Sequence, residues 1–456
     1  MAGVTYSIRK LAEKGNTLNL AFAFAYSIFL SSGAWLFTIG GVGIILIWGP
    51  LMFPDRIIKE FQSVIIYNFS ISFVLSGIIS FIICRDVSDK IYSEQFDKIC
   101  GVVIGSMLIL YIIATPLIFY FYFFIASFSR QIAMASSLNF LLLLGIWHVA
   151  TFLTTLKEYR IVSLAFLAGM ILSVSASLVF GSMGVGVAGV INSFNAGLVL
   201  IYGILLGLVI YEYSPYISKP FSFFTSYKRY WELAIAGVLC NTGIWIDKWI
   251  MWFSPDSVRY PSNLVCDMNY SNALFLGYLT IIPALAYFLY SIEYVFDREI
   301  LKFYNSINNK ATLSQIYDMK KTVIENLYKC MTGYFFIQGI FTVLALLSSV
   351  EILELLDIPM IQLSIFRYAV LGAFFQFFFI FFVNILFYLD QRKSILLIYG
   401  IYLVLNTCFT YISIKLGYQY YGVGFCAASL ITFIISGIIV ALTAKKLDYL
   451  AFIQNK

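Results

Sequence analysis

Long apolar runs alternate with short polar connections along the whole 456-residue chain. Each run approaches or exceeds the ~20 residues that a helix needs to cross the hydrocarbon core of a bilayer. The runs are continuous, whereas strands of membrane barrels alternate apolar and polar positions. The pattern therefore predicts twelve transmembrane helices, at 18–49, 63–83, 101–125, 136–156, 161–181, 186–210, 231–253, 271–292, 325–348, 366–389, 394–415 and 422–443.

The composition agrees with this pattern. Hydrophobic residues make up 61% of the chain and charged residues 11%, whereas ordinary soluble domains carry about 25% charged residues. So little charge cannot solvate the surface of a globular domain of this length, which excludes a soluble enzyme, a disordered chain and a small disulfide-stapled domain. The predicted fold class is an all-α polytopic membrane protein with about twelve helices.

The positive charges predict an orientation. Twenty-one of the 29 lysines and arginines fall on one side of the predicted spans, and five fall on the other. Cytoplasmic loops of membrane proteins carry this excess. We therefore expect both termini to be cytoplasmic. The formal net charge of +6 is then largely a determinant of topology, not a surface for nucleic acid.

Two glycine-containing turns suggest an internal duplication. Gly184–Gly189 and Gly422–Ala427 both begin Gly-Val-Gly, and each joins the last two spans of a group of six. Repeated halves around a substrate path are a common plan of transporters. The sequence therefore predicts an N-terminal six-helix half at 1–210, a cytoplasmic linker at 211–230, and a C-terminal six-helix half at 231–456 with a cytoplasmic loop at 293–324.

Several kinds of chemistry find no support in the sequence. The chain contains no Gly-Lys dipeptide and hence no phosphate-binding loop of the Walker type. Gly184–Gly189 formally matches a dinucleotide fingerprint, but it lies between two membrane helices, where small residues favour close packing. We predict no catalytic residues, no metal site and no cofactor, and a transporter in place of an enzyme.

Charges inside a membrane span are candidates for function because they are costly there. Asp247 and Lys248 lie in the outer part of the seventh predicted span, between Trp245 and Trp249. Helical geometry turns adjacent residues about 100° apart, so the two charges need not pair directly. The four residues either border a substrate path or form an interfacial belt in which Lys248 extends to the headgroups.

Two further polar residues in spans are weaker candidates. Arg367, at the start of the tenth span, either contacts an anionic ligand or anchors the helix at the interface. His148 is the only histidine, and it either takes part in transport or is hydrogen-bonded between helices. Amides in spans more often join helices than bind substrate, and the chain has six of them: Asn68, Asn192, Asn195, Gln376, Asn384 and Asn406.

The segment 293–324 is the longest predicted connection. Its basic residues include Lys302, Lys320 and Lys321, and its apolar residues are spaced so that they can share one face. It is either a docking site for a cytosolic partner or a solvated amphipathic linker.

Ordered blocks along the chain resemble the PelG family, the inner-membrane transporters of the Pel exopolysaccharide. Ala34 stands where the family pattern leads us to expect proline, so Gly33 is left to bend the first helix. The blocks that carry the resemblance are Met1–Leu11, Ser31–Trp35, Arg85–Tyr92, Trp245–Trp249, Phe366–Tyr368, Leu371–Ala373 and Tyr388–Arg392.

The resemblance implies a twelve-helix, MATE-like member of the multidrug/oligosaccharidyl-lipid/polysaccharide flippase superfamily. It implies export of an amino-sugar polysaccharide beside a cytosolic glycosyltransferase and membrane scaffold proteins. The residues alone leave alternatives open: a flippase for a lipid-linked oligosaccharide, an ion-coupled drug exporter of the same fold, or a membrane-embedded glycosyl- or acyltransferase. The last has the least support, because the outer loops lack a catalytic histidine or a cluster of acids.

Overall fold

A computed structural model describes residues 17–155, 158–184, 186–213, 217–260 and 262–453. Helices make up 87% of the described residues, and a two-stranded antiparallel hairpin of β1 (Val258–Arg259) and β2 (Val265–Cys266) is the sheet found among them. The α-helices are α1 (Thr17–Trp48), α2 (Asp55–Tyr92), α3 (Ile99–Tyr120), α4 (Arg130–Thr155), α5 (Tyr159–Ser182), α6 (Val187–Glu212), α7 (Phe223–Arg229), α8 (Trp231–Met251), α9 (Met268–Leu279), α10 (Ile282–Tyr290), α11 (Asp297–Asn308), α12 (Leu313–Leu347), α13 (Ser349–Leu355), α14 (Leu363–Tyr388), α15 (Arg392–Leu416), α16 (Val423–Lys445) and α17 (Leu447–Ile453).

The predicted fold class is confirmed. Eleven helices in the described ranges are long and apolar enough to cross a membrane, or twelve if one bent pair counts as a single span. The bent pair is α9 with Ile282–Phe288, which meet at 44° where the sequence predicts one span over 271–292. Pro283 explains the break, because it lacks an N–H and its ring clashes with the carbonyl four residues earlier, that of Leu279. Leu279 is the last residue of α9.

The segment expected to be a soluble loop at 293–324 is mostly helical. Helix α11 buries Ile300 and Phe303 on one face, and Thr312 and Gln315 then form a capping box that starts α12. With 35 residues, α12 is about 52 Å long, well beyond the ~30 Å of a hydrocarbon core. The polar first turns of α12 therefore extend beyond the hydrocarbon core that the apolar remainder of the helix is long enough to cross.

The described residues form two compact units. One comprises Ser32–Trp245 and Trp252–Asp267, and the other comprises the described residues up to Ser31, Ile246–Met251 and Met268 onward. The predicted boundaries at 210 and 230 stay a prediction. Some residues used in the sequence argument lie outside the described residues. They are the block Met1–Leu11, which carries part of the resemblance, the basic residues Arg9, Lys10 and Lys14, which count toward the charge asymmetry, and Val185 of the first glycine turn.

Asparagines join the helices of the first of these units. Asn68 donates to Asn139 Oδ1 (2.8 Å) and accepts from Tyr122 Oη (2.7 Å). Asn139 in turn donates to Asn195 Oδ1 (2.8 Å), and Asn195 donates to a carbonyl of α4. All four side chains are buried, so the amides satisfy one another where water cannot. The structure thus gives Asn68 and Asn195 the joining role expected of amides in spans.

Aromatic rings fill much of the core of the other unit. Tyr334 on α12 packs edge-to-face against Phe378 on α14, with ring centroids 4.6 Å apart. Phe382 on the same helix stacks on Phe433 of α16 at 5.8 Å. Such pairs add to the attraction between helices beyond simple area burial. The phenylalanine-rich middle of α14 is therefore a packing centre, which leaves few of its side chains for other roles.

The residues at 217–230, expected to be a linker, form a segment packed on α2 and α3. Ser218 Oγ donates to the carbonyl of Asp97 (2.7 Å). Ser226 Oγ donates to Asp86 Oδ1 (2.6 Å), whose other oxygen accepts from Lys90. We call residues 217–230 the strap. Because both ends of the strap bond to the preceding helices, it holds the start of α8 in place.

Two glycines of α3 let the strap come this close. A Cβ on Gly101 would stand 2.1 Å from the carbonyl oxygen of Ser218, and one on Gly105 would stand 2.0 Å from that of Pro220. A backbone oxygen cannot move aside as a flexible side chain can. Any larger residue at either position must therefore push the strap off α3.

We expect Gly101→Ala and Gly105→Ala each to cost about 1–3 kcal/mol of stability through overpacking. Gly203→Ala is the matched control, since Gly203 is also helical but a Cβ there would meet nothing within 4 Å. Alanine at Gly203 should be neutral or stabilise by up to about 1 kcal/mol. Thermal midpoints of the detergent-solubilised variants measure the difference. Equal midpoints for the three variants would show that the strap is not held in this way.

Candidate functional site

Helix α8 carries the central candidates and is fixed by a close crossing with α2. A Cβ on Gly77 would stand 2.7 Å from the carbonyl oxygen of Gly237, and one on Gly237 would stand 2.3 Å from that of Gly77. One turn further along α8, Asn241 Nδ2 donates to the carbonyl of Phe73 (2.6 Å). Backbone contact of this kind is typical of small residues in membrane helices, and it sets the rotation of α8 about its axis.

Asp247 is completely buried and is surrounded by donors. Tyr270 Oη donates to Asp247 Oδ2 at 3.0 Å, and Lys248 Nζ lies 3.2 Å from Oδ1 and 3.3 Å from Oδ2. Lys248 is itself 7% exposed. The carboxylate is therefore neutralised by the next residue in the chain and hydrogen-bonded by a residue of α9.

Asp247 and Lys248 pair directly, although helical spacing alone does not require it. Their side chains leave the helix about 100° apart around its axis. The four-carbon stem of lysine nevertheless lets Nζ reach back to the neighbouring carboxylate. Burial supplies the driving force, because an unpaired charge in the interior costs several kcal/mol. Lys248 therefore turns inward to Asp247 instead of extending to a headgroup.

The pair continues into a chain of polar side chains on three further helices. Lys248 Nζ lies 5.5 Å from the centroid of the Tyr278 ring. Tyr278 Oη donates to Gln376 Oε1 (2.6 Å), and Gln376 Nε2 donates to Tyr402 Oη (3.1 Å). We call these residues the Asp247 network: Asp247, Lys248, Tyr270, Tyr278, Gln376 and Tyr402. It crosses α8, α9, α14 and α15 and carries no net charge while Asp247 and Lys248 are both ionised.

The two tryptophans beside the pair are half-buried. The indole N–H of Trp249 is enclosed and has no hydrogen-bond acceptor among the described residues. Buried donors normally have a partner. Trp249 therefore offers an aromatic face and an available donor next to the charged pair.

Tyr67 contacts the chain that follows α8 at two points. Trp252 stacks on Tyr67 of α2 with ring centroids 4.2 Å apart. Tyr67 Oη also donates to the carbonyl of Val265 (2.9 Å) and accepts from its N–H (3.1 Å). The β1–β2 hairpin is thereby tied to α2, so the described residues of the cap, 252–260 and 262–267, are packed against that helix.

His148 and Arg367 lie outside the Asp247 network. His148 is buried in the other unit, where Nε2 lies 2.9 Å from Ser106 Oγ and 3.3 Å from the carbonyl of Val103. These contacts join α4 to α3, as expected of a histidine bonded between helices. Arg367 is exposed, and its Nε donates to the buried hydroxyl of Ser349 (2.9 Å), which joins α14 to α13.

The three lysines named as docking candidates differ in availability. Lys302 pairs with Glu299 (2.6 Å), and Lys321 lies 4.0 Å from Glu325; both lysines are largely exposed. Lys320 is mostly enclosed, because Nζ donates to Asp448 Oδ1 and to the carbonyl of Lys445, each at 2.8 Å. This hydrogen bond lowers the pKa of the Asp448 carboxyl, so the contact holds at neutral pH and weakens as acidification protonates Asp448. Lys320 thus ties α17 to α12.

Sequence reasoning missed the tyrosines that complete the network. Tyr270, Tyr278 and Tyr402 look like ordinary members of an aromatic-rich chain, and no fixed spacing relates them to Asp247. The available signal was chemical: a tyrosine inside an apolar span needs a partner for its hydroxyl. No group of three or more potential metal ligands is found within the residues that the structure covers.

The fold is shared with solved structures of MATE and MOP superfamily proteins. A MATE protein in the bent conformation superposes with a TM-score of 0.64 at 12% identity, covering 98% of this chain and 99% of that one. An outward-facing multidrug resistance MATE family transporter of the MOP superfamily gives 0.59 at 13% identity, with 97% and 99% covered. A MOP superfamily transporter from Pyrococcus furiosus gives 0.62 at 12% identity, with 97% and 98% covered. At such identities the likeness establishes the fold alone, and the fold is MATE-like.

No curated protein matches the chain. A family profile does match, over residues 1–452, which is nearly the whole length, and the family is described as "Putative exopolysaccharide Exporter (EPS-E)". A match of this extent covers both groups of membrane helices and every block on which the resemblance depended. The chain therefore belongs to the PelG family of exopolysaccharide exporters.

Proposed function

We propose that this protein moves an amino-sugar exopolysaccharide from the cytoplasm across the bacterial inner membrane, as the polymer leaves a cytosolic glycosyltransferase. The observation that carries the proposal is the match of the PelG family to residues 1–452 of a chain with a MATE-like membrane fold. That fold is shared by drug exporters and by flippases of lipid-linked oligosaccharides, so the choice among them depends on the family. The family supports export of a polysaccharide. The proposal adds that the polymer contains amino sugars and that it comes from a cytosolic glycosyltransferase.

Deletion of the gene in its host, with complementation, tests the proposal directly. The expected result is loss of extracellular hexosamine polymer and its return with the wild-type gene. Normal secretion after deletion would refute an export role. Loss of a lipid-linked oligosaccharide, with hexosamine polymer unchanged, would instead favour the flippase alternative.

A sliding polymer needs weak, repeated contacts, because tight binding at one site would hold it there, as in channels. Indole faces suit this task, since they pack on sugar rings and attract ammonium groups by about 0.5–2 kcal/mol each. Trp245 and Trp249 are half-buried, and the Trp249 N–H has no acceptor in the described part of the chain. We propose that these two rings border the polymer path. Asp247 contributes indirectly, because it keeps the side chain of Lys248 paired.

We expect Asp247→Asn to reduce export and also to reduce the amount of folded protein. The amide keeps the shape but leaves Lys248 buried without its counter-charge, a change that costs about 3–5 kcal/mol. Asp247→Glu should be milder, since it keeps the charge. Polymer export divided by the amount of protein in the membrane gives the functional part of each effect.

The double variant Asp247→Asn/Lys248→Met separates the two roles. Removing both charges avoids the unpaired ion, and an apolar replacement of a buried pair is often tolerated. We expect protein levels to recover while export stays low. Export at the wild-type level in the double variant would show that the pair serves folding only.

A second part of the proposal concerns the cytosolic partner. Lys302 on α11 and Lys321 on α12 are exposed, as are the apolar side chains of Leu301, Leu313 and Tyr317. A surface with exposed cations around apolar groups fits a partner with an acidic rim. We propose that this surface docks the glycosyltransferase.

Charge reversal at Lys302 and Lys321 should lower co-purification of a glycosyltransferase at least tenfold, with insertion unchanged. Lys320→Glu is the control for an effect on internal packing, because Lys320 already pairs with Asp448. This variant should first weaken the contact between α17 and α12. Purification of each variant with the neighbouring gene products measures retention. Full retention by Lys302→Glu/Lys321→Glu would remove this surface from the proposal.

The orientation is also part of the proposal. The charge asymmetry supports a cytoplasmic position for both termini and α11, and an external position for residues 252–267. Reporter fusions at Lys456 and within 254–260 should report cytoplasm and exterior, respectively. An external signal from the Lys456 fusion would contradict the proposed direction of transport.

A further inference from the structure

We infer that Asp247, the hydroxyl of Tyr270 and the ring of Tyr278 form a binding site for an ammonium cation, which the side chain of Lys248 fills. The site supplies its own cation, so that no free metal ion is needed to neutralise Asp247. This inference concerns binding and does not depend on what the protein exports.

The contacts around Lys248 Nζ are those that an ammonium group takes. Both carboxylate oxygens of Asp247 lie within 3.3 Å of it. The Tyr278 ring centroid is 5.5 Å away, inside the ~6 Å over which an aromatic face attracts a cation. A carboxylate on one side and an aromatic ring on another is a pocket suited to an organic ammonium.

The receiving groups are held in place by residues other than Lys248. Tyr270 bonds to Asp247 directly (3.0 Å). Tyr278 is oriented through its hydroxyl by Gln376, and Gln376 is bonded to Tyr402. Tyr270, Gln376 and Tyr402 are each no more than 2% exposed. The pocket should therefore keep its shape when the lysine side chain is removed.

A tethered cation has an advantage over a free one. Lys248 is covalently adjacent to Asp247, so its effective concentration at the carboxylate exceeds that of a dissolved ion. A free cation gains access only when the tether is cut back. Truncation of Lys248 to alanine does this, because the atoms removed beyond Cβ correspond to n-propylammonium.

The experiment measures the thermal midpoint of detergent-solubilised Lys248→Ala in choline chloride, with and without n-propylammonium. Choline is too bulky for the vacated space and has no N–H. Saturating n-propylammonium should raise the midpoint of Lys248→Ala by roughly 2–4 °C, as expected for a ligand that binds only the folded state. The rise should saturate with concentration.

Two matched proteins control for general effects of the salt. The wild type, whose site is filled, and Asp247→Asn/Lys248→Ala, whose site lacks the carboxylate, should show no saturable rise. The absence of a rise in Lys248→Ala would overturn the inference. An equal rise in all three proteins would overturn it too.

A measurement on the wild type keeps the inference testable even if Lys248→Ala is recovered poorly. Exchange of sodium chloride for choline chloride at equal ionic strength should leave its midpoint unchanged. A sodium-specific rise that disappears in Asp247→Asn/Lys248→Met would show that Asp247 takes a free metal ion, which contradicts the inference. These results do not depend on export, so a failure here is distinct from a failure of the proposed function.

Discussion

A polar side chain within a bilayer has to find its partners inside the protein, because neither lipid tails nor bulk water can supply them. This constraint explains most of the specific contacts of the chain. Asp247 is fully buried, so it is compensated by Lys248 and Tyr270. The same constraint selects the rotation and register of neighbouring helices, because purely apolar helices could pack in many ways.

Each unit has its own polar network between helices. In one, neutral amides bond to one another across helices, from Asn68 through Asn139 to Asn195. In the other, a carboxylate and an ammonium are joined to tyrosines and Gln376 in the Asp247 network. Amide pairs hold helices together without charge. The charged pair carries a higher cost of desolvation than the amides do.

The family and the fold identify a transporter, and the structure adds where its rigid parts lie. The strap is bonded to α2 and to the turn before α3, and the cap that follows α8 is tied to α2 by Tyr67. The part of α8 up to Trp245 is thus bonded within its own unit.

The sequence by itself determined the class of the protein, because a bilayer imposes length and apolarity on each span, and these are properties of local sequence. It also determined the family, through blocks spread over the whole chain. It singled out Asp247 and Lys248 because charges are rare in spans. Only the tertiary structure decided that Lys248 turns back to Asp247, that Tyr270 and Tyr278 complete the site, and that 217–230 and 293–324 are packed or helical and not free loops. Tyr270 bonds to Asp247, 23 residues earlier, and Ser226 bonds to Asp86, 140 residues earlier, and no local pattern records contacts between helices that far apart.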